Sequence, residues 1–222
     1  MRVKKQVVLL FFLLWLGVAY SRGSLTVTWG NFYESEKSTE GNSHPLRLHL
    51  KSNALGWGMF ISNLGVELDF ARHWSFSLPV YYSAWDYFTP TVKLRTFSLQ
   101  PELRYWVDES NDGWFGGIHW GLSYYNIAWG KDWRYQDREG NTPAVGGGIG
   151  VGYRMPLGRS QRWRIEFALG GGAYALHYDI FHNEPNGLLT RTEKRTYLGI
   201  DHISISFSYL FDLKKRRGQW YE

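Results

Sequence analysis

Apolar and polar residues alternate one by one along most of this chain, most sharply in residues 202–211. Ile203, Ile205, Phe207, Tyr209 and Phe211 fall on one parity and Ser204, Ser206 and Ser208 on the other. A period of two predicts a strand with one greasy and one polar face, and a helix cannot segregate it. Similar alternation predicts seven more strands upstream. The first sets Leu46, Leu48 and Leu50 against Arg47, His49 and Lys51; the second sets Leu64, Val66, Leu68 and Phe70 against Gly65, Glu67 and Asp69. The third runs from Trp74 past Tyr82, and the fourth sets Phe97, Leu99, Leu103 and Tyr105 against Gln100, Glu102 and Arg104. Strands five to seven fall in residues 114–125, 145–155 and 163–170, and the strand at 202–211 is the eighth.

The links between these strands alternate in length. Those after strands two, four and six are short (71–73, 108–113 and 157–161), and those after three, five and seven are longer (86–93, 130–142 and 179–193). Transmembrane β-barrels show this asymmetry, with short periplasmic turns, long outer loops and an even strand count. The pattern therefore predicts an all-β, eight-stranded antiparallel up-and-down transmembrane β-barrel with both termini periplasmic. Pro79 and Pro101 each remove a ladder donor, so each is expected at a bulge or strand end.

Composition sharpens this reading. Aromatics make up 18% of the 222 residues, yet mean hydropathy is −0.36, as expected where rings gather at two membrane interfaces and half of each strand stays polar. A soluble sugar-binding β-sandwich shares that bias and stands as an alternative. Residues 1–21 read as a cleavable signal peptide: Arg2, Lys4 and Lys5 precede an apolar run that ends at Ala19-Tyr20-Ser21. That run is too short to span a bilayer as a helix. Cysteine is absent, which excludes disulfides and a lipoprotein anchor. The net charge of +5 comes from the leader and from Lys214-Lys215-Arg216-Arg217, so nucleic acid is not an expected partner. The expected division is a signal peptide at 1–21, an N-terminal extension at 22–45, the barrel at 46–212 and a basic tail at 213–222.

Several runs resemble a known family in order and spacing: Asn63-Leu64-Gly65-Val66-Glu67, Arg72-His73-Trp74, Gln100-Pro101-Glu102-Leu103-Arg104-Tyr105-Trp106, Gly117-Ile118-His119, and Arg162-Trp163-Arg164-Ile165-Glu166 followed by Gly170-Gly171-Gly172-Ala173-Tyr174. The chain is similar here to a domain-of-unknown-function family of small outer-membrane β-barrels from gut and oral anaerobic Gram-negative bacteria, sometimes encoded near fimbrial components. The likeness runs from about Leu46 to Phe211. It implies location and fold, and it carries no catalytic residues to transfer. Residues 212–222 extend past the point where such proteins tend to finish.

Barrel parity would collect Arg47, Lys51, Arg104, Arg154 and Arg164 inside, against Glu67, Asp69, Glu102 and Glu166. In so narrow a tube these charges must pair, which predicts an ionic plug rather than an ion path. The alternate glycines at 146, 148, 150 and 152 fit no phosphate loop and are expected to leave room for large inward side chains. Asp108 to Gly113 lacks the final glutamate of a calcium loop and reads as a turn. His202 with Ser204, and His119 with Ser123, share strand faces and form the one enzyme hypothesis, a lipid A-modifying barrel hydrolase. Trp129, Trp133, Arg134 and Tyr135 are outer-loop recognition candidates, with an interfacial aromatic belt as the competing reading. No cofactor or metal is expected. The expectation is a non-enzymatic surface scaffold or interaction partner, in contact with outer-membrane lipid and a surface or periplasmic protein in envelope or fimbrial assembly. Oligomeric state is left open.

Overall fold

A computed structural model describes residues 46–86 and 91–213. The signal peptide, the N-terminal extension and the basic run from Lys214 lie outside the described residues. Ten strands form one antiparallel sheet: β1 (Arg47–Asn53), β2 (Ser62–Ala71), β3 (Trp74–Asp86), β4 (Val92–Leu99), β5 (Glu102–Trp106), β6 (Gly113–Trp129), β7 (Trp133–Asp137), β8 (Ala144–Leu157), β9 (Trp163–His182) and β10 (Leu189–Asp212). A short helix, α1 (Ala54–Gly58), follows β1.

The sheet closes on itself, because β10 pairs with both β9 and β1. The ring has eight positions. β4 and β5 together fill the place between β3 and β6, and β7 and β8 fill the place between β6 and β9. Apart from the closing pair of β10 with β1, neighbouring positions in the ring are consecutive in the chain.

The expected fourth strand is broken at Gln100 and Pro101. Both halves keep one register against β3 and β6, so the break is local. Its cause is the donor that Pro101 lacks. Pro79 sits within β3 beside the break, where its carbonyl accepts from Gln100 N–H at 3.3 Å.

Two expected loops are corrected. Residues 130–142 contain β7, paired with β6 and β9, and residues 179–193 are largely strand, since β9 runs to His182 and β10 begins at Leu189. β10 is thus 24 residues long, and not the ten expected of the closing strand. Polar composition hid these strand tops: Arg191, Thr192, Glu193, Lys194 and Arg195 show no apolar parity, yet they pair by backbone bonds that need none.

The ring is polar inside and apolar outside. Glu67, Asp69, Ser75, Arg154, Glu166 and Ser208 are among the most buried side chains, while Leu64, Phe76, Ile118, Ile149, Val151, Leu169 and Phe207 face outward and are exposed. Near the short-turn end the outer face carries linked rings: Trp74 against Tyr105 at 5.2 Å, Trp114 against Tyr153 at 5.1 Å and Trp163 against Tyr209 at 5.1 Å.

Candidate functional site: a charged plug beneath an open cavity

The lower half of the ring is filled by one ionic network. Glu67 on β2 is its hub: it accepts from Lys51 Nζ at 2.7 Å, from Arg104 Nη1 at 2.9 Å and from Arg154 Nη1 at 2.9 Å. Glu166 accepts from Lys51 at 2.8 Å and from Arg104 at 2.9 Å, and Glu102 pairs with Arg104 at 2.5 Å. Period-two geometry makes this possible, since alternate residues of five strands converge on one axis.

Asp69 lies 3.4 Å from Arg154 and 3.0 Å from His49 Nε2. Arg164 pairs with Asp112 at 2.9 Å, and Arg154 reaches the same carboxylate at 3.2 Å. Eight of the nine residues expected in the plug therefore meet in this network. Arg47 does not: half-buried at the ring's edge, it donates to the Ser110 carbonyl at 3.1 Å, and among the described residues it has no carboxylate partner. It stands at the first position of β1, level with the turns, where the tube has ended.

Four participants escaped the sequence reading. Asp112 and Asn111 belong to the 108–113 turn, which closes through Asn111 N–H to the Asp108 carbonyl at 3.1 Å. The turn folds inward, so that the Asn111 carbonyl accepts from Arg154 and Asp112 faces both arginines. Trp106 is wholly buried under the Arg154 guanidinium, 4.0 Å from its ring, and Arg104 lies 4.4 Å over Phe115. Inward parity of Trp106 and Phe115 was a usable signal for these two; no local pattern marks a turn that folds into a tube.

Above the plug lies an open cavity of about 1170 Å³. Its floor is Tyr81, Gln100, Tyr174, Asp201 and His202. His119 Nε2 and Asp201 Oδ2 are 2.7 Å apart, and His202 Nδ1 and Gln100 Oε1 are 3.2 Å apart. A register shift in β10 between Ile200 and His202 brings Asp201 and His202 inside together. The cavity wall is leucine, isoleucine and tyrosine, including Leu94, Leu122, Tyr125, Ile127 and Leu176.

Glycines make this space. A Cβ on Gly121 or Gly146 would collide with Tyr174, one on Gly148 would stand 2.7 Å from His119 Nε2, and one on Gly152 would overlap Phe115. Gly146, Gly148 and Gly152 thus leave room for large inward side chains as expected, whereas a Cβ on Gly150 would stand 3.4 Å from the Leu169 carbonyl and displace nothing.

Ser204 Oγ stands 3.3 Å from His202 Nε2, and the far nitrogen of His202 meets Gln100 rather than a carboxylate. Ser204 is 4% exposed and does not line the cavity. His119 and Ser123 are not brought together: His119 pairs with Asp201, and Ser123 lies 2.6 Å from Ser98 Oγ.

Trp129 ends β6, and Trp133, Arg134 and Tyr135 lie on β7, so these recognition candidates sit on paired strands at the ring's far end rather than in a free loop. Trp129 and Trp133 are exposed; Arg134 lies 4.5 Å over Phe181, and Tyr135 packs edge-on to Tyr178 at 6.0 Å. Nearby, burial raises the pKa of the Asp137 carboxyl, opposed by its bond from Tyr125 N–H. Asp179 is held below the usual carboxylate range: burial acts against this, but the Glu139 N–H and the Thr192 hydroxyl outweigh it.

Fold and site together define an all-β protein whose eight-position antiparallel ring has a charged lower half and a cavity above. The chain belongs to the DUF3575 family, described as protein of unknown function, which matches residues 31–211. The comparison with curated proteins returns no match.

Proposed function

We propose that the protein is a non-enzymatic transmembrane β-barrel of the outer membrane, exported by a cleaved signal peptide, with both termini periplasmic. In this reading it is a rigid scaffold that presents its strand tops to a surface or periplasmic partner. The observation that carries the proposal is the inversion of the fold: ion pairs occupy the interior, and leucine, isoleucine, valine and aromatic side chains cover the outside. In water that arrangement would expose the apolar face and bury the charges, whereas a bilayer solvates the first and the closed ring pairs the second.

Dimensions support the same reading. On β3 the outward rings Trp74 and Tyr82 are eight residues apart. At roughly 3.3 Å per residue and the usual barrel tilt this separates them by about 20 Å, close to an apolar band of about 25 Å. β9 and β10 are longer than such a band requires and would project beyond it, carrying the tops of β6 and β7 with them.

The likeness to outer-membrane barrels of gut and oral anaerobes supports a role in envelope or fimbrial assembly. The burial of Ser204 beneath the cavity floor favours a scaffold over a lipid A hydrolase. Membrane fractionation combined with gel mobility before and after boiling tests the reading. A pelleted protein whose mobility changes on boiling is expected; a soluble one running identically in both lanes refutes it and favours the sandwich. Cross-linking pull-down from native outer membranes identifies the partner. Lipid A mass spectrometry of a deletion strain and of Ser204→Ala should show no change from wild type, and a changed lipid A would replace the scaffold with the enzyme.

A further inference from the structure

The ring wall is not equally tall all round. β1 pairs with β10 only from Asp212 up to Ser206, which faces Asn53, and there β1 gives way to α1. β10 continues upward for another seventeen residues, and among the described residues that stretch pairs with β9 alone. Asn53 closes the top of the seam: its side chain donates to the Ile203 carbonyl at 3.3 Å, accepts from Ile205 N–H at 3.2 Å and caps α1 through Leu55 N–H at 3.0 Å. Above Asn53, among the described residues, the edge of β10 meets only α1, without ladder pairing, and this unpaired seam is the slit.

The cavity reaches that slit. Its lining takes Leu55 and Met59 from one side and four consecutive residues of β10 from the other: Arg195, Thr196, Tyr197 and Leu198. Consecutive strand residues point to opposite faces, so a space touching all four runs past the strand's edge to the outside. Leu198 is 82% exposed, Ile200 two residues on is exposed as well, and so is Trp57 on α1. The edge is partly sealed, because the Tyr197 hydroxyl donates to the Ile200 carbonyl at 2.6 Å.

We propose that the cavity is a binding site for an acyl-chain amphiphile with an anionic headgroup, taken sideways from the outer leaflet through the slit between β10 and α1. The inference rests on the membrane-barrel reading above. Counted from Tyr209 beside Trp163, the slit begins about 10 Å up the apolar belt and runs through its upper half to Leu198, the depth at which outer-leaflet acyl chains lie. The walls match a chain, and on the floor Asp201 Oδ2 already pairs with His119 and His202 with Gln100, which limits what is lost when water leaves. Lipid-facing sheet edges with unpaired backbone groups are costly in hydrocarbon, and a headgroup at the slit supplies polar partners there. Arg195 at the rim selects for negative charge. The volume, about 1170 Å³, lies just above the roughly 300 to 1,000 Å³ usual for small-molecule sites, as room for a long chain requires.

The test uses the full chain in mild detergent, with 1-palmitoyl-lysophosphatidylglycerol as probe and native mass spectrometry as readout. Three proteins are compared: wild type, Ala144→Phe with Leu176→Trp to fill the cavity, and Arg195→Glu at the exposed rim. Wild type should retain one probe molecule; the filled variant should bind at least tenfold more weakly, and the rim variant several-fold more weakly. Arg195→Glu alters a solvent-exposed residue and stays informative if the filled variant does not fold. Equal retention by all folded variants, or none by wild type, overturns the proposal. Boiling-dependent mobility of the same samples separates this failure from failure of the barrel: a heat-modifiable protein that ignores the probe refutes only the lipid site.

Discussion

Glu67→Gln is the most direct perturbation of the plug. Glu67 is fully buried and accepts from three cations, Lys51, Arg104 and Arg154, at 2.7 to 2.9 Å, and from the Ser75 hydroxyl at 2.9 Å. The amide preserves volume but removes the charge and turns two hydrogens toward groups that are themselves donors. Breaking a buried ion pair from one side costs about 3 to 5 kcal/mol, because the partner is left without compensation. That is a large part of the roughly 5 to 15 kcal/mol that holds a typical domain together. The assay is a urea titration of the full chain folded into lipid vesicles, read through its 12 tryptophans, with the slope unchanged so that the midpoint reports stability. Asp86→Asn is the internal control: its pair with Arg95 at 3.1 Å is exposed on both sides and screened by solvent, and its loss should cost below about 1 kcal/mol. Adding Lys51→Met to Glu67→Gln should recover part of the loss by removing one orphaned charge. A Glu67→Gln protein within about 1 kcal/mol of wild type would refute the reasoning, because water or relaxation would then be carrying charges here assigned to one another.

The remaining expectations concern the cavity and the strand tops. Gly146→Ala should cost about 1 to 3 kcal/mol in the same titration, since the new methyl meets the Ala173 carbonyl and Tyr174, whereas Gly116→Ala, whose nearest neighbour is Gly150 O at 3.9 Å, should stay within about 0.5 kcal/mol; equal costs would contradict the steric account. Asn53→Ala loses the α1 cap and both links to β10, which predicts a loss of about 1 to 2 kcal/mol and faster amide exchange at Ile205; unchanged exchange there would rule out Asn53 as the closure of the seam. Asp137 has a raised pKa in the fold, so its stabilising contribution is complete below about pH 3.8 and is lost as pH rises through the raised value. Asp137→Asn should therefore abolish that loss, seen as exchange protection of β7 amides, corrected for intrinsic rates, that no longer falls with rising pH; an unaltered pH profile would count against it.

The ring and its polarity were legible in the sequence because each rests on parity, which is local. Leu64, Val66 and Leu68 against Glu67 and Asp69 state both the strand and its two faces, and the same rule places Arg104, Arg154 and Glu166 on one axis. Two kinds of feature were not legible. In the upper part of β10 both faces become polar and the alternation that signals a strand vanishes although the backbone ladder continues, and β7, with Trp133 and Tyr135 on one parity, spans only five residues, too few for its alternation to stand out from a loop. And Arg47 carries the right parity but stands at the strand's first position, where an inward direction leads to the Ser110 carbonyl instead of a carboxylate. Parity fixes a direction; only tertiary structure fixes the height at which the tube begins.

The bulge in β10 ties these observations together. Below it the even residues Ser204, Ser206 and Ser208 face inward; above it the odd residues do, as the pairing of Tyr197 with inward Tyr174 and the bond from Tyr178 to Glu193 require. With an unbroken period of two, Asp201 and Arg195 would point at the outer face and Leu198 and Ile200 into the cavity, because a one-residue slip exchanges the faces of everything beyond it. A carboxylate turned toward the apolar belt is costly, whereas at the bulge Asp201 reaches His119 at 2.7 Å. The extra residue at 200–202 thus does two things: it delivers Asp201 and His202 together to the cavity floor, and it keeps Leu198 and Ile200 outside, at the slit that α1 leaves open. Deleting one residue there should leave the plug and the lower ring intact, since neither draws on β10 above Ser204, while it dismantles the floor and inverts the strand top. Boiling-dependent mobility preserved alongside loss of probe binding is the expected signature, and loss of both would mean that the two halves of the ring fold as one unit.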